Sequence, residues 1–362
     1  MSKYLISCGG TGGHLAPGIA IGEALASKGH DVSFIISEKA IDSRLSAKYK
    51  NFKFIKTPGL PFSPSPIKFL KFLISQFRAV KCCKKIFMEN NADVAIAFGG
   101  FNSMGLAIAA WLAKKPLVLH EANRKPGKAV RLFGFIATRV YLPHGVRIEQ
   151  NKSGVVRQAG YPIRSEIFKK DEAKSKELFG FGKEANIVLV CGGSQGAAAL
   201  NRWAKDNFEH LAHEGIDIFC IAGPSQSQIE NRTCKDKNGI ERHLRSIEFC
   251  DNMAEAMSAA KIVVARAGAG SIAEFARCRT IPILVPFPFA ADNHQLENAR
   301  YVEKNGAGIC VLQENISSLS TEVLALFGNP KLCEKMRHNL EKLDELNGIS
   351  KFVSDLEELA LK

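Results

Sequence analysis

The sequence predicts an α/β protein made of two doubly wound parallel sheets, and three observations lead there. Short apolar runs recur along the chain, and they are continuous rather than alternating, as strands covered on both faces are. Stretches of helical periodicity separate them, the habit of parallel sheets. One strand–glycine–helix signature also occurs twice: Tyr4-Leu5-Ile6-Ser7-Cys8-Gly9-Gly10-Thr11-Gly12-Gly13 is echoed by Val188-Leu189-Val190-Cys191-Gly192-Gly193-Ser194-Gln195-Gly196. With 362 residues, 46% hydrophobic and 23% charged, the chain has the balance of a folded protein and the length of about two domains.

In order, the first strand runs into a glycine loop that opens a helix over Leu15–Ser27, stopping at Gly29. Strands follow at Val32–Ile36, Phe52–Ile55, Val94–Phe98, Leu117–Leu119 and Val140–Leu142, with a helix predicted over Pro66–Met88. The stretch between Asp93 and Lys114 carries no charge over 20 residues, about enough to span a bilayer. Its central Gly99, Gly100, Asn102, Ser103 and Gly105 point instead to a buried strand, a turn and a helix over Gly105–Ala113. The second half repeats the pattern with strands at Ile187–Val190, Ile216–Ile221, Ile247–Phe249, Ile262–Ala265, Ile281–Val285 and Gly308–Val311. The domain boundary falls near Gly160-Tyr161-Pro162, dividing the chain into 1–161 and 162–344. The periodicity of Ile349–Leu361 fits docking on either domain.

Several classes are excluded. The apolar patch after Met1-Ser2-Lys3 is too short for a signal peptide. The ten cysteines form no Cys-x-x-Cys pair and no metal-ligand spacing with histidine, so reduced thiols in a cytosolic protein are expected, with no metal and no cofactor. Neither glycine loop matches Gly-x-Gly-x-x-Gly followed by an acidic residue at the end of the next strand, which argues against a dehydrogenase; Asp31 begins the second strand.

The formal charge of +13 is unevenly placed. Residues 1–160 hold 24 Lys+Arg against 8 Asp+Glu, a net of +16, and residues 161–362 hold 25 against 28, a net of −3. No acidic residue lies between Asp42 and Glu89. Within that window Pro66–Met88 combines Phe69, Leu70, Leu73, Phe77 and Val80 with Lys68, Lys71, Arg78, Lys81, Lys84 and Lys85, while Phe72 and Ile74 widen its apolar arc. Three readings fit the pattern: a core helix with a solvated basic edge, a surface for anionic lipid, or a nucleic-acid contact.

The chemistry concentrates in glycine loops. Gly9-Gly10-Thr11-Gly12-Gly13-His14 presents backbone N–H groups at a helix N-terminus, which suits phosphate or diphosphate. His14, where loop meets helix, is a candidate base or pyrophosphate contact. Gly192-Gly193-Ser194-Gln195-Gly196 has the same physics plus a hydroxyl donor. Two such loops predict a ligand at the carboxyl ends of the strands, in a cleft between the domains. In Arg266-Ala267-Gly268-Ala269-Gly270-Ser271-Ile272-Ala273-Glu274 a helix is expected to begin with Glu274 in its first turn, where the carboxylate either complements the dipole or accepts ribose hydroxyls. Asp292-Asn293-His294-Gln295-Leu296-Glu297-Asn298-Ala299 is a polar turn able to reach a sugar.

These motifs, with His120-Glu121-Ala122-Asn123, occur in an order and at intervals that resemble the MurG family of membrane-associated glycosyltransferases over nearly the whole chain. The resemblance implies a GT-B fold, with the C-terminal helix (345–362) returning to the N-terminal domain. It implies inverting transfer of N-acetylglucosamine from UDP-GlcNAc to the C4 hydroxyl of MurNAc in undecaprenyl-pyrophosphoryl-MurNAc-pentapeptide, lipid I becoming lipid II. By the family's pattern, Arg164, Ser194 and Gln195 face the diphosphate and the main chain at Cys250 meets the uracil. Glu274 binds the ribose, the amides of Ala269, Gly270, Ser271, Ile272 and Ala273 approach the diphosphate, and Gln295 binds sugar hydroxyls. Thr11, Gly12, Gly13 and Asn123 contact the transferred sugar, and His14 serves at the acceptor pyrophosphate or as base. The implied location is the cytoplasmic face of the inner membrane, held peripherally through residues 66–88, with no nucleic-acid partner. The alternative within the same architecture is another UDP-sugar enzyme, a lipid glycosyltransferase or a UDP-GlcNAc 2-epimerase; from another class, a non-catalytic nucleotide-binding or membrane-adaptor protein. Two residues depart from the family: Tyr161 stands where Asn is usual, and Phe101 where Tyr is usual.

Overall fold

The computed structural model describes residues 1–10, 12–38, 43, 46–60, 65–100, 102–148, 155–224 and 229–361. It divides into two units, one of Met1–Ser165 with Leu346–Lys362 and one of Glu166–Glu345.

In the first unit the strands are β1 (Lys3–Ser7), β2 (Asp31–Ile36), β3 (Lys53–Lys56), β4 (Val94–Ala97), β5 (Leu117–His120), β6 (Arg139–Leu142) and β7 (Val156–Gln158). They form one sheet in the order β3-β2-β1-β4-β5-β6-β7, parallel throughout. Its helices are α1 (Gly12–Ser27), α2 (Pro66–Asn90), α3 (Asn102–Leu112), α4 (Lys128–Phe133) and, from the end of the chain, α12 (Ser350–Ala360). The two-residue period of β1 feeds a core on each face: Leu5 packs among Cys83, Phe87, Leu106 and Ala110, whereas Tyr4 and Ile6 pack among Ile19, Leu25, Phe34 and Phe98. The second cluster is completed by Phe352, Val353, Leu356 and Leu359 of α12, and the Tyr141 hydroxyl donates to Asp355. Periodicity alone left this helix's partner open and the family resemblance assigned it to the N-terminal domain; its apolar stripe packs on the first sheet. The uncharged stretch after Asp93 resolves into β4 and α3, and among the described residues no helix is long and apolar enough to cross a membrane.

The second unit repeats the design with β8 (Asn186–Cys191), β9 (Ile216–Ile221), β10 (Arg232–Lys235), β11 (Glu241–Ile247), β12 (Ile262–Ala265), β13 (Ile281–Leu284) and β14 (Ile309–Cys310). The order is β10-β11-β9-β8-β12-β13-β14. Its helices are α5 (Glu172–Leu178), α6 (Ala198–His213), α7 (Met253–Ala259), α8 (Ala269–Cys278), α9 (His294–Lys304), α10 (Leu319–Phe327) and α11 (Pro330–Glu345). One pair, β10 with β11, is antiparallel. The strand expected at Ile247–Phe249 actually runs from Glu241 to Ile247, and β7 and β10 carried no apolar signal. Both are half-exposed edge strands, and beside β10 charge does the holding: Arg242 of β11 donates to Asp236 at 2.8 and 3.0 Å and to Asp217 at 3.4 Å. Hydrophobic runs therefore did not mark them.

α2 buries one stripe, Phe72, Ser75, Gln76, Ala79, Cys83, Ile86 and Phe87, at the three- and four-residue spacing of a packed helix. Phe72 thus belongs to the core. Ile67, Phe69, Leu70, Leu73, Ile74 and Phe77 do not: all are exposed, Phe77 to 74%.

Candidate active site

In the first unit the loop after β1 is set by close approach. A Cβ on Gly9 would lie 2.4 Å from the Ser37 nitrogen at the end of β2, and Gly10 has φ +107°, a conformation open to glycine. Gly12 and Gly13 form the first turn of α1, which contains no acidic residue. Thr11 lies outside the described residues, as does Phe101. His14 sits half-buried in that turn, its ring against the loop after β4: a Cβ on Gly100 would meet His14 Cε1 and Nδ1 at 3.3 Å, and one on Gly99 would meet Nε2 at 3.5 Å. Both glycines have positive φ, and the lack of a side chain at each lets the loop lie close against the imidazole. The Tyr161 hydroxyl donates to the Gly13 carbonyl at 3.3 Å, and Tyr161 N–H donates to Asn347 Oδ1 at 2.9 Å. The departure at 161 thus ties the segment after β7 to the first glycine loop.

Asn123 follows β5 and is organised by a residue that motif reading quoted without a role. Buried Glu121 accepts the Asn123 N–H at 2.9 Å, the Asn123 Nδ2 at 3.1 Å and the Gly127 N–H at 2.6 Å. Burial pushes its carboxyl pKa up, against the pull of these donors. His120 is a core aromatic: stacked on Phe352 at 5.6 Å, with Nε2 3.3 Å from the Gly160 carbonyl, it is pushed down to about 4 by burial and stays neutral at pH 7. Arg164, half-buried in the same unit, donates to the Tyr49 hydroxyl at 3.3 Å.

In the second unit the loop after β8 is tighter still. A Cβ on Gly192 would fall 2.2 Å from the Ala197 nitrogen, and Gly193 and Gly196 take φ +80° and +74°. Gly196 N–H bonds the Gly193 carbonyl at 2.9 Å, leaving Ser194 half-buried and Gln195 exposed at the tip. Gly223, beyond β9, seats this loop: at φ +91°, its Cβ would meet Gly196 Cα at 2.4 Å. Asn201 of α6 fixes the neighbouring turn by donating to the Ala222 carbonyl at 2.9 Å.

α8 begins at Ala269 with no side-chain cap and no acid in its first turn. The Ile272 N–H already bonds the Gly268 carbonyl at 3.0 Å and Ala273 lies deeper in the helix, so the amides at this end with no intrahelical partner are those of Ala269, Gly270 and Ser271. Glu274 is the sixth residue of the helix, not part of the first turn as expected, because the helix starts immediately after Gly268. Its half-buried carboxylate is near enough to Cys191, beside Gly192, to add to the rise of that thiol to about 12, which is caused first by burial and then by Cys220, with Cys250 contributing as well. Cys250 and Glu274 are thus both close enough to Cys191 to act on it electrostatically. Gln295, in the first turn of α9, accepts the Phe287 N–H on Oε1 at 2.9 Å. Among the described residues no three His, Cys, Asp or Glu side chains stand grouped as metal ligands would.

The glycosyltransferase family 28 N-terminal domain matches residues 4–142 and the family 28 C-terminal domain matches residues 187–353. The UDP-N-acetylglucosamine–N-acetylmuramyl-(pentapeptide) pyrophosphoryl-undecaprenol N-acetylglucosamine transferase of Opitutus terrae is 42% identical over 359 residues, covering 99% of this chain and 95% of the relative. The protein of the same name from Thermoanaerobacter sp. is 29% identical, covering 96% of this chain and 97% of its own. The crystal structure of Acinetobacter baumannii MurG shares the fold, with a TM-score of 0.69 at 21% identity, covering 99% of this chain and 100% of that one. The doubly wound sheets of the two units are those of GT-B glycosyltransferases. Matched by both domain models, and by a relative along almost its whole length, the chain belongs to glycosyltransferase family 28 and within it to the MurG family.

Proposed function

We propose that this protein transfers N-acetylglucosamine from UDP-GlcNAc to the C4 hydroxyl of MurNAc in undecaprenyl-pyrophosphoryl-MurNAc-pentapeptide, forming lipid II with inversion at the anomeric carbon. The observation that carries the reading is the 42% identity along 99% of the chain to a relative named for this reaction. The acceptor oxygen attacks C1 of the donor sugar as the bond from C1 to the diphosphate breaks; a base takes the hydroxyl proton and UDP leaves with the electron pair.

The second unit carries the donor roles. The Ser194 hydroxyl, Gln195 and the N-terminal end of α8 at Ala269–Ala273 meet the diphosphate, where donors fixed in advance stabilise the charge that builds on leaving UDP. The main chain at Cys250 meets the uracil, Glu274 accepts the ribose hydroxyls and Gln295 binds the sugar. In the first unit Gly12, Gly13 and Asn123, with Thr11, contact the transferred sugar. His14 is the base, an unprotonated imidazole being suited to accept the hydroxyl proton near neutral pH; Arg164 is a further diphosphate contact.

The enzyme works peripherally at the cytoplasmic face of the inner membrane, through α2. A core helix with a solvated basic edge would bury its apolar residues, whereas Ile67, Phe69, Leu70, Leu73, Ile74 and Phe77 are exposed beside Lys68, Lys71, Arg78, Lys81, Lys84 and Lys85. Trp111, Leu112, Leu132 and Phe135 of the same unit are exposed as well. Apolar side chains and lysines together suit an anionic lipid surface.

Labelled UDP-GlcNAc incubated with a lipid I analogue tests the reaction: incorporation into the lipid is expected, and none, with the protein folded, rejects it. His14→Ala should keep UDP-GlcNAc binding and lose transfer; equal turnover removes His14 from the chemistry.

A further inference from the structure

Arg266, the residue after β12, is a buried cation with an unusual set of partners. Its Nη1 donates to the Val285 carbonyl at 3.1 Å and the Pro286 carbonyl at 3.3 Å, and its Nη2 to Gln313 Oε1 at 2.6 Å. Its guanidinium carbon lies 5.4 Å from the centroid of the Phe287 ring. Every partner is neutral, so the desolvation of the charge is offset by carbonyl dipoles and a ring face rather than by a carboxylate. A buried ion without a counter-ion weakens a fold more readily than it strengthens one, and such a residue is better explained by what it holds in place.

What it holds is the segment after β13. The ladder between β12 and β13 continues one step beyond the strands, with Val285 N–H bonded to the Ala265 carbonyl at 2.7 Å. Arg266 then gathers the next two carbonyls and the side chain of Gln313, beyond β14, into one fork. The residue that follows, Phe287, points its N–H at Gln295 Oε1, 2.9 Å away. An N–H can pair only with the oxygen of a carboxamide, so this bond decides which way the Gln295 amide faces. Its oxygen accepts from Phe287, and its Nε2, which among the described residues donates to no protein group, is left as a donor.

We propose that Arg266 is a positioning residue for donor-sugar recognition: by clamping Val285–Phe287 it sets the N–H that locks Gln295 with its amide hydrogens toward the sugar hydroxyls. The proposal rests on the reading of Gln295 as a sugar contact. It separates the sugar from the nucleotide, since the clamp touches the loop whose Phe287 N–H meets Gln295, whereas the start of α8 and Glu274 serve the diphosphate and ribose.

The test compares binding of UDP-GlcNAc and of UDP to the full-length protein and to its Arg266→Met, Gln295→Ala and doubly substituted forms, by titration calorimetry. Arg266→Met is expected to weaken UDP-GlcNAc about tenfold, the equivalent of about 1.4 kcal/mol, with UDP affinity held within about twofold. In the Gln295→Ala background the same substitution should add nothing to the loss, because the group it positions is gone. Arg266→Lys, which retains donors for the two carbonyls, should recover part of the affinity. Gln313→Ala should lose part of it, and these two variants carry the test if Arg266→Met does not fold. Equal weakening of UDP and UDP-GlcNAc, or additive losses in the double variant, would overturn the proposal. Gln295→Ala with unchanged UDP-GlcNAc affinity would instead reject the sugar contact on which it rests.

Discussion

Replacing Gly223 by alanine should unseat the second glycine loop. The added Cβ would stand 2.4 Å from Gly196 Cα, 2.5 Å from Gly196 N and 2.8 Å from the Gln195 carbonyl carbon, with φ at +91°. All three atoms are backbone, so no side chain can swing away. A left-handed conformation costs a non-glycine residue about 1–2 kcal/mol, and forcing a methyl into packed backbone costs about 1–3 kcal/mol more. Part of the strain is relieved if the Gly192–Gly196 turn shifts, which moves Ser194 and Gln195 from their positions. For a unit of this size each kcal/mol lowers the melting temperature by about 2–4 °C, so the second unit should melt roughly 4–20 °C lower. UDP binding should weaken at the same time. Differential scanning calorimetry with and without UDP measures both effects. Gly182→Ala is the control, since a Cβ there meets nothing within 4 Å and its φ is not positive. A Gly223→Ala protein that melts with the Gly182→Ala control and binds UDP like the parent would refute the argument from close approach.

Three further outcomes can be checked. Reversing the charge of Lys81, Lys84 and Lys85, all exposed on α2, should release the protein from anionic vesicles by at least two orders of magnitude in partitioning, at about 1 kcal/mol per lysine; undiminished binding removes α2 from the membrane contact. Phe77→Ser should weaken the same binding in high salt, where the lysines are screened and the exposed ring is not; a salt-dependent effect alone would deny insertion. Glu121 gives a pH signature: its folded carboxyl holds a proton to higher pH than the unfolded one, so the stability it contributes is full below the unfolded value and is lost as pH rises through the folded value. Glu121→Gln should flatten that decline in the first unit's melting temperature, and an unchanged slope between the parent and the variant would contradict it.

The strands were legible wherever burial on both faces made their sequences continuously apolar. Ile216–Ile221 and Ile262–Ala265 have the bounds read from sequence. β10 and most of β11 escaped because a half-exposed edge strand and its neighbour, stabilised by Arg242, Asp236 and Asp217, need no apolar run. Glu274 was placed a turn too early because Arg266-Ala267-Gly268 contains nothing that marks where a helix begins. The glycine loops were readable in kind, since positive φ and close approach leave glycine as the residue of choice. Their seating was not, because Gly223 and Gly196 are far apart in sequence and meet only through β9.

By itself the sequence determined the two-fold α/β pattern, the glycine loops that suit phosphate, and a basic half joined to a slightly acidic one. Each is a local or summed property, and a strand, a turn or a net charge is specified by neighbours along the chain. Tertiary structure decided which side chains those elements leave available. It buried Phe72 and left Phe77 outside, turned His120 into a core ring while Glu121 came to hold Asn123, and set Arg266 to fix Gln295 through the backbone of Phe287. Such choices depend on groups distant in sequence meeting with defined hydrogen-bond direction and excluded volume, and those constraints exist only once the sheets have formed.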